Sequence, residues 1–210
     1  VTIQFISPEQ PSSGVTPYRS LFRQTAPAVE PVTLAEAKAQ CRVDTADDDA
    51  YISTLIATAR LYVEDVLDVS LITTVWETRY DCFPLWEIIL PRPPMQDAAV
   101  TVTYRDEGGT VRTLSSVEYQ VDHYVTPGRI YPKFEGVWPA VRGDENSVVV
   151  RWSAGYGASG SSVPSVIKHA ILLLVAHWYE TRQPVSQGMQ MPIPGTFDTL
   201  MAASGWGGYR

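Results

Sequence analysis

Cysteine and histidine are scarce in this chain of 210 residues, and their scarcity narrows its chemistry: there are two cysteines and three histidines. Cys41 and Cys82 fall in segments that read as a helix and a strand. Neither has a CxxC or Cys/His partner at ligand spacing, so buried free thiols are expected rather than a disulfide or a metal pair. His169 and His177 stand about 80° apart around a predicted helix, whereas two ligands for one metal occupy i and i+4. Asp122 and His123 are neighbours in a predicted strand and point to opposite faces. No catalytic residue, metal site or cofactor is therefore expected. Phosphate-loop, dinucleotide, HExxH and GxSxG motifs are all lacking, and the lone Gly155-Tyr156-Gly157 is no substitute. No apolar run reaches the ~18 residues of a membrane span, and no basic-apolar-small signal pattern opens the sequence, which reads as soluble and made inside the cell. Positive charge is also short: 16 Lys and Arg against 23 Asp and Glu give a formal charge of −7. Ordinary nucleic-acid binding needs the opposite balance.

What the chain has in quantity is proline, glycine and aromatic side chains around a few well-patterned elements. Residues Val1 to Pro31 carry five prolines and no sustained period, and read as an extended arm. Val1, Ile3, Phe5, Ile6, Tyr18, Leu21 and Phe22 make it more apolar than a solvated tail needs, so a disordered tail and an arm lying on its own body or on an adjacent subunit both stay open. Thr33 and Glu36 form a capping-box pattern ahead of a short helix. Four aspartates between Asp44 and Asp49 lack the spacing of a calcium loop and suit the positive end of a helix dipole. The helix they open runs from about Asp48 to Leu67, with Ile52, Leu55, Ile56, Ala59, Val63 and Val66 on a core face. Arg60 and Glu64 are expected on its solvated side.

From Leu71 the period changes to two. Strands are predicted at 71–80, 86–90, 98–105, 110–114, 119–121, 128–131 and 147–152, the third and fourth joined as a hairpin across Asp106-Glu-Gly-Gly109. They follow one another without intervening helices, which predicts an antiparallel β unit between helical parts. Ala154 to Ser162 reads as a flexible loop of small residues. The longest strongly apolar segment follows, Val163 to Arg182, a helix with Pro164 in its first turn. Ile167, Ala170, Ile171, Leu174 and Trp178 share one face. The other carries Leu172, Leu173, Ala176 and Tyr179, so two faces want cover. Beyond Gln183 the chain is irregular yet holds Phe197, Leu200, Met201, Trp206 and Tyr209, which suggests either a partner or a tail folded back on its core. The tryptophans of the β unit, Trp76, Trp86, Trp138 and Trp152, with Tyr104, leave open a carbohydrate- or protein-binding β module, although the arginines near them are spread rather than clustered.

The fold class expected is α+β: a small helical bundle of two N-terminal helices and a long C-terminal one, with an inserted antiparallel β domain and extended N- and C-terminal arms. The boundaries are an arm over 1–32, a helical core over 33–70 and 163–183, a β domain over 71–153, and a C-terminal arm over 184–210.

Several short motifs recur here in a telling order: Glu30-Pro-Val-Thr-Leu-Ala-Glu-Ala-Lys38, Asp47-Asp-Asp49, Leu55-Ile56 with Ala59-Arg60, Leu90-Pro-Arg-Pro-Pro94, Val102-Thr-Tyr-Arg-Asp106, Ala154-Gly-Tyr-Gly157, Val163-Pro164, Ala170-Ile-Leu-Leu-Leu174 and Trp178-Tyr-Glu-Thr-Arg182. In that order the chain resembles the head-tail connector proteins, also called adaptor or head-completion proteins, of tailed phages, prophages and gene transfer agents. The resemblance implies a structural virion protein and no enzyme. It implies a ring, typically of twelve copies, in the neck under the portal protein, assembled from host cytoplasm, with a tail terminator or stopper protein docking below and double-stranded DNA passing through unread. It also implies that the C-terminal segment docks on the portal, a role carried to Pro192, Ile193, Phe197, Leu200, Trp206 and Tyr209. Leu172, Ala176 and Tyr179 would then meet the neighbouring subunit, and a polar residue at Leu172 would disturb the ring more than the fold. The β insertion and the apolar N-terminal arm depart from the small connectors.

Overall fold

The computed structural model describes residues 18–96 and 100–181. Its elements in chain order are β1 (Ser20–Arg23), α1 (Leu34–Cys41), α2 (Asp49–Leu67), β2 (Thr74–Tyr80), β3 (Ile88–Leu90), β4 (Thr101–Arg105), β5 (Val111–Thr113), β6 (Tyr119–Asp122), β7 (Gly128–Pro132), β8 (Val148–Ala154), a short 3-10 turn (Gly160–Ser162) and α3 (Ser165–Thr181). This is the expected α+β class, with β2 to β8 inserted between α2 and α3 and β1 standing before α1. The described residues divide into a helical unit, 25–74 with 91–96 and 154–181, and a β unit, 18–24 with 75–90 and 100–153.

In the helical unit α1 starts where the sequence says it should. The Thr33 hydroxyl accepts from the Glu36 N–H at 3.1 Å, while the Thr33 N–H donates to Glu36 Oε2 at 2.6 Å, which satisfies two otherwise orphaned donors. Both α1 and α2 end on left-handed residues, Arg42 and Asp68. The core is made by Ile52, Ile56 and Val63 of α2 against Ile167, Ile171 and Leu174 of α3, all essentially inaccessible. Leu71 and Ile72 belong to this core as well, so the first strand after α2 starts at Thr74 rather than at Leu71.

Of the side of α2 expected to be solvated, Thr58 and Asp65 are exposed, but Arg60 and Glu64 are not. Arg60 is 6% exposed and Glu64 0%, while Val66, assigned to the core face, is 47% exposed. The reason is that chain segments on either side of the helix close over Arg60 and Glu64. Arg60 Nη1 donates to Glu64 Oε2 at 3.0 Å and its Nε to Glu30 Oε2 at 2.7 Å. Glu64 Oε1 accepts the Leu71 N–H at 3.1 Å, and Arg92 Nη1 reaches the Glu64 carbonyl at 2.9 Å. A buried carboxylate is tolerable only with its lone pairs occupied in this way.

The loop of small residues after β8 is also more constrained than its composition suggests. The Gly155 N–H donates to the Pro94 carbonyl at 2.8 Å, Tyr156 N–H to Leu71 at 3.2 Å, and Thr73 N–H to the Gly157 carbonyl at 3.0 Å. Gly155 has φ +134°, and a Cβ there would stand 2.6 Å from the backbone of Ile72 and Thr73. Only glycine fits.

The β unit holds two sheets, ordered β1-β2-β8-β4-β5 and β3-β7-β6. The pairings β1 with β2, β4 with β8 and with β5, and β7 with β3 and with β6 are antiparallel. Alternation along β2 and β8 sends Trp76, Thr78, Tyr80, Val148, Val150 and Trp152 inward, as period-two patterning requires. Glu77, on the other face, is nonetheless fully buried, because Arg151, Arg79 and Gln24 fold over it and donate at 2.6, 2.7 and 2.9 Å. Burial pushes its carboxyl up, and the hydrogen bonds from Arg151 and Arg79 outweigh that, holding it below its usual value. Within the segment predicted as an arm lies β1, an edge strand whose Ser20 lies opposite Arg79 and Phe22 opposite Glu77. Ser20–Arg23 is too short and irregular in pattern to announce a strand by itself.

Candidate interaction surfaces

The helix α3 supplies the first candidate surface. Its inward side is Ile167, Ala170, Ile171, Leu174 and Val175, all buried. Trp178 sits at its edge and meets the Tyr62 ring edge-on at 6.1 Å. Of the three residues read as a subunit contact, Leu172 and Tyr179 are half-buried and pack against the same core. Tyr179 also donates its hydroxyl to Asp48 and lies 6.2 Å from the Tyr51 ring. Ala176 is half-buried. At 100° per residue, the stripe left outward runs through Val166, His169, Leu173, Ala176 and Glu180, with Leu172 and Tyr179 on its flank. Leu173 and Val166 are thus candidates that the sequence reading did not assign as site residues. The signal was available in the helical wheel, once the width of the buried side was known.

Lys168 and Glu36 tie α3 to the start of α1, Nζ to Oε1 at 2.9 Å. The Thr33 backbone N–H first, and Lys168 second, pull the Glu36 carboxyl down to about 2. The six candidate portal-binding residues, Pro192, Ile193, Phe197, Leu200, Trp206 and Tyr209, lie outside the described residues.

The four tryptophans of the β unit do not gather on one surface. Trp76 and Trp152 are in the interior, Trp138 stacks on Phe83 with centroids 4.9 Å apart, and Tyr104 meets the same Phe83 at 5.8 Å. Trp86 alone of the four tryptophans is open to solvent, at 75%. It stands two residues before β3 rather than inside a strand. Cys41 and Cys82 are free thiols, yet not buried ones: Cys82 follows β2 on the surface, and Cys41 ends α1 half-covered, where burial first and Glu180 second raise its thiol above the ordinary value. His123 lies against the Tyr124 ring at 4.2 Å. Among the described residues no group of three His, Cys, Asp or Glu side chains is placed to hold a metal ion, and no helix is long and apolar enough to cross a membrane.

Among solved structures, the chain is similar to a component of the neck of an empty gene transfer agent particle computed with C6 symmetry, with a TM-score of 0.71 and 21% identity over 86% of this chain and 94% of that one. It is similar to a chain of the virion of a native gene transfer agent particle, with a TM-score of 0.67 and 22% identity over the same shares. A third likeness is to the neck of the native particle computed with C12 symmetry, with a TM-score of 0.58, 21% identity and the same coverage. At such identities these show a shared fold. No curated protein matches the chain. The family model for head completion proteins matches residues 31–190, which takes in both helical segments and the β insertion between them, and the chain belongs to that family.

Proposed function

We propose that this protein is a structural subunit of the virion neck. It forms a ring between the portal and the tail or its stopper, and DNA passes through the ring without being read. The observation that carries this reading is the head completion family match over 31–190. The similar chains belong to particle necks computed with C6 and C12 symmetry, which suits a twelvefold or sixfold ring here. The charge of −7 agrees with a wall that does not hold a passing phosphate backbone.

In this reading the work is assembly. Subunits meet head to tail in a closed ring, with the outward stripe of α3, Leu173 and Ala176 flanked by Leu172 and Tyr179, against the next copy. The C-terminal arm over 184–210 docks on the portal through Ile193, Phe197, Leu200, Trp206 and Tyr209, with Pro192 limiting the conformations it must give up. Ordering such a segment costs about 1–2 kcal/mol per residue, which burial of apolar area at about 25 cal/mol per Å² must offset. Many equivalent arms on one ring make even a weak single contact sufficient. Electron microscopy of the protein mixed with its portal protein tests the proposal. A coaxial ring of this protein on the portal is the expected image, and a mixture without any association overturns it.

A further inference from the structure

The β unit carries an apolar surface that none of these roles uses. Leu85, Trp86, Val117, Phe134 and Val137 are 80, 75, 66, 84 and 88% exposed. They belong together by register. In the three-stranded sheet Ile88 of β3 lies opposite Ile130 of β7, and Tyr119 of β6 opposite Pro132 of β7. The start of β3, the end of β7 and the start of β6 therefore share one end of the sheet. Leu85 and Trp86 precede β3, Val117 precedes β6, and Phe134 and Val137 follow β7, so all five lie beyond that same end. The Lys133 N–H to Glu118 carbonyl bond, 3.0 Å, extends the pairing toward them. Five large apolar side chains left open at one sheet end are a docking surface rather than scattered exposure.

The geometry points to an occupant from the same chain, the segment Val1–Ile6, and we propose that it docks in an extended conformation on this end of its own β unit. Two observations identify it. First, the sequence Val1-Thr-Ile-Gln-Phe5 alternates strictly and carries no charged side chain, so as a strand it presents Val1, Ile3 and Phe5 on one side. Second, β1 delivers the chain in the right direction. Ser20 lies opposite Arg79 in an antiparallel pair, the Arg19 N–H donates to the Arg79 carbonyl at 2.7 Å, and the Arg19 side chain meets Asp81 at 2.6 Å. Running backward from Ser20 the chain thus proceeds alongside Arg79 and Asp81, toward the turn that carries Leu85 and Trp86. Residues 7–17, rich in Pro and Ser, give a tether that spans up to roughly 36 Å when extended. A tether of this length holds the segment at millimolar effective concentration near its own sheet, so a modest apolar contact suffices. This contact does not depend on the ring reading.

Hydrogen–deuterium exchange of the full chain, at a concentration where sedimentation shows monomer, tests the proposal. Amides of residues 3–6 are expected to exchange at least about tenfold more slowly than those of the tether. In the Trp86→Ser, Phe134→Ser double variant that protection is lost, while β2 and β8 stay protected as the check on folding. Should that variant unfold, Phe5→Asp serves instead: it leaves the sheets protected and raises exchange around Trp86 and Phe134. Three results overturn the proposal. They are unprotected residues 3–6 in the unmodified chain, protection that neither variant alters, and protection that appears only as concentration rises, which would make the occupant's source a second copy.

Discussion

Glu64 shows how much one residue's surroundings change its meaning. As half of an exposed i, i+4 pair with Arg60 it would contribute a few tenths of a kcal/mol. Sealed at 0% exposure between Arg60 and the Leu71 N–H, it becomes a junction between α2 and the chain that follows. Glu64→Ala strands a buried guanidinium and a backbone donor. Because Glu30 still accepts from Arg60, the expected loss is about 3 kcal/mol, the low end for breaking a buried pair. Glu64→Gln keeps an acceptor for Leu71 and should lose less. Urea titration of the two variants measures the difference, and equal losses would mean that the backbone bond is unimportant. Glu36 gives a pH signature. Its carboxyl titrates near 2 in the folded protein against 4.5 ordinarily, so the folded state binds fewer protons in that interval. Its contribution is complete above about 4.5 and disappears as pH falls through about 2. Glu36→Gln should flatten the fall of Tm with pH across that window and leave the slope above pH 6 unchanged. An unaltered acid limb would assign the sensitivity to other carboxylates.

At the scale of the element, α3 carries two requirements on one cylinder. Its buried side, Ile167, Ala170, Ile171, Leu174 and Val175, spans enough of the circumference to draw Leu172 and Tyr179 partly inward. A lysine at Leu172 therefore strains the fold as well as any contact outside it. Leu173 separates the two. Leu173 is half-buried but does not pack on the core cluster as Leu172 does, so Leu173→Glu is expected to cost about 1 kcal/mol, yet to abolish ring formation on the portal. Thermal melts and negative-stain images of the same preparation provide the comparison. Rings that form normally with Leu173→Glu would move the subunit contact away from α3.

For the whole molecule the prediction is a division of labour between body and arm. Removing residues 189–210 takes away Phe197, Trp206 and Tyr209 but no described element. The truncated protein should keep its melting temperature and lose portal binding, measured by co-sedimentation with portal rings. Retained binding would place the docking surface on the body instead.

The sequence by itself determined the elements whose information is local. The Thr33/Glu36 capping box, the hairpin of β4 and β5 around Asp106, the span of α2 and the order of helices and strands from Thr33 onward all rest on periodicity and turn chemistry within a few residues. The motifs that carry the family resemblance are of the same kind, which is why the head completion family was legible before the fold was. Tertiary structure alone decided what depends on residues distant in sequence. Arg60, Glu64 and Glu77 look like solvated charges until Glu30, Arg92 and Arg151 close over them. Val66 and Cys82 look like core by their place in a helix and a strand, yet Val66 is 47% exposed and Cys82 lies on the surface. Ser20–Arg23 becomes a strand only because β2 offers it an edge. The burial of a charged side chain depends on what the rest of the chain brings to its position, and local periodicity does not encode that.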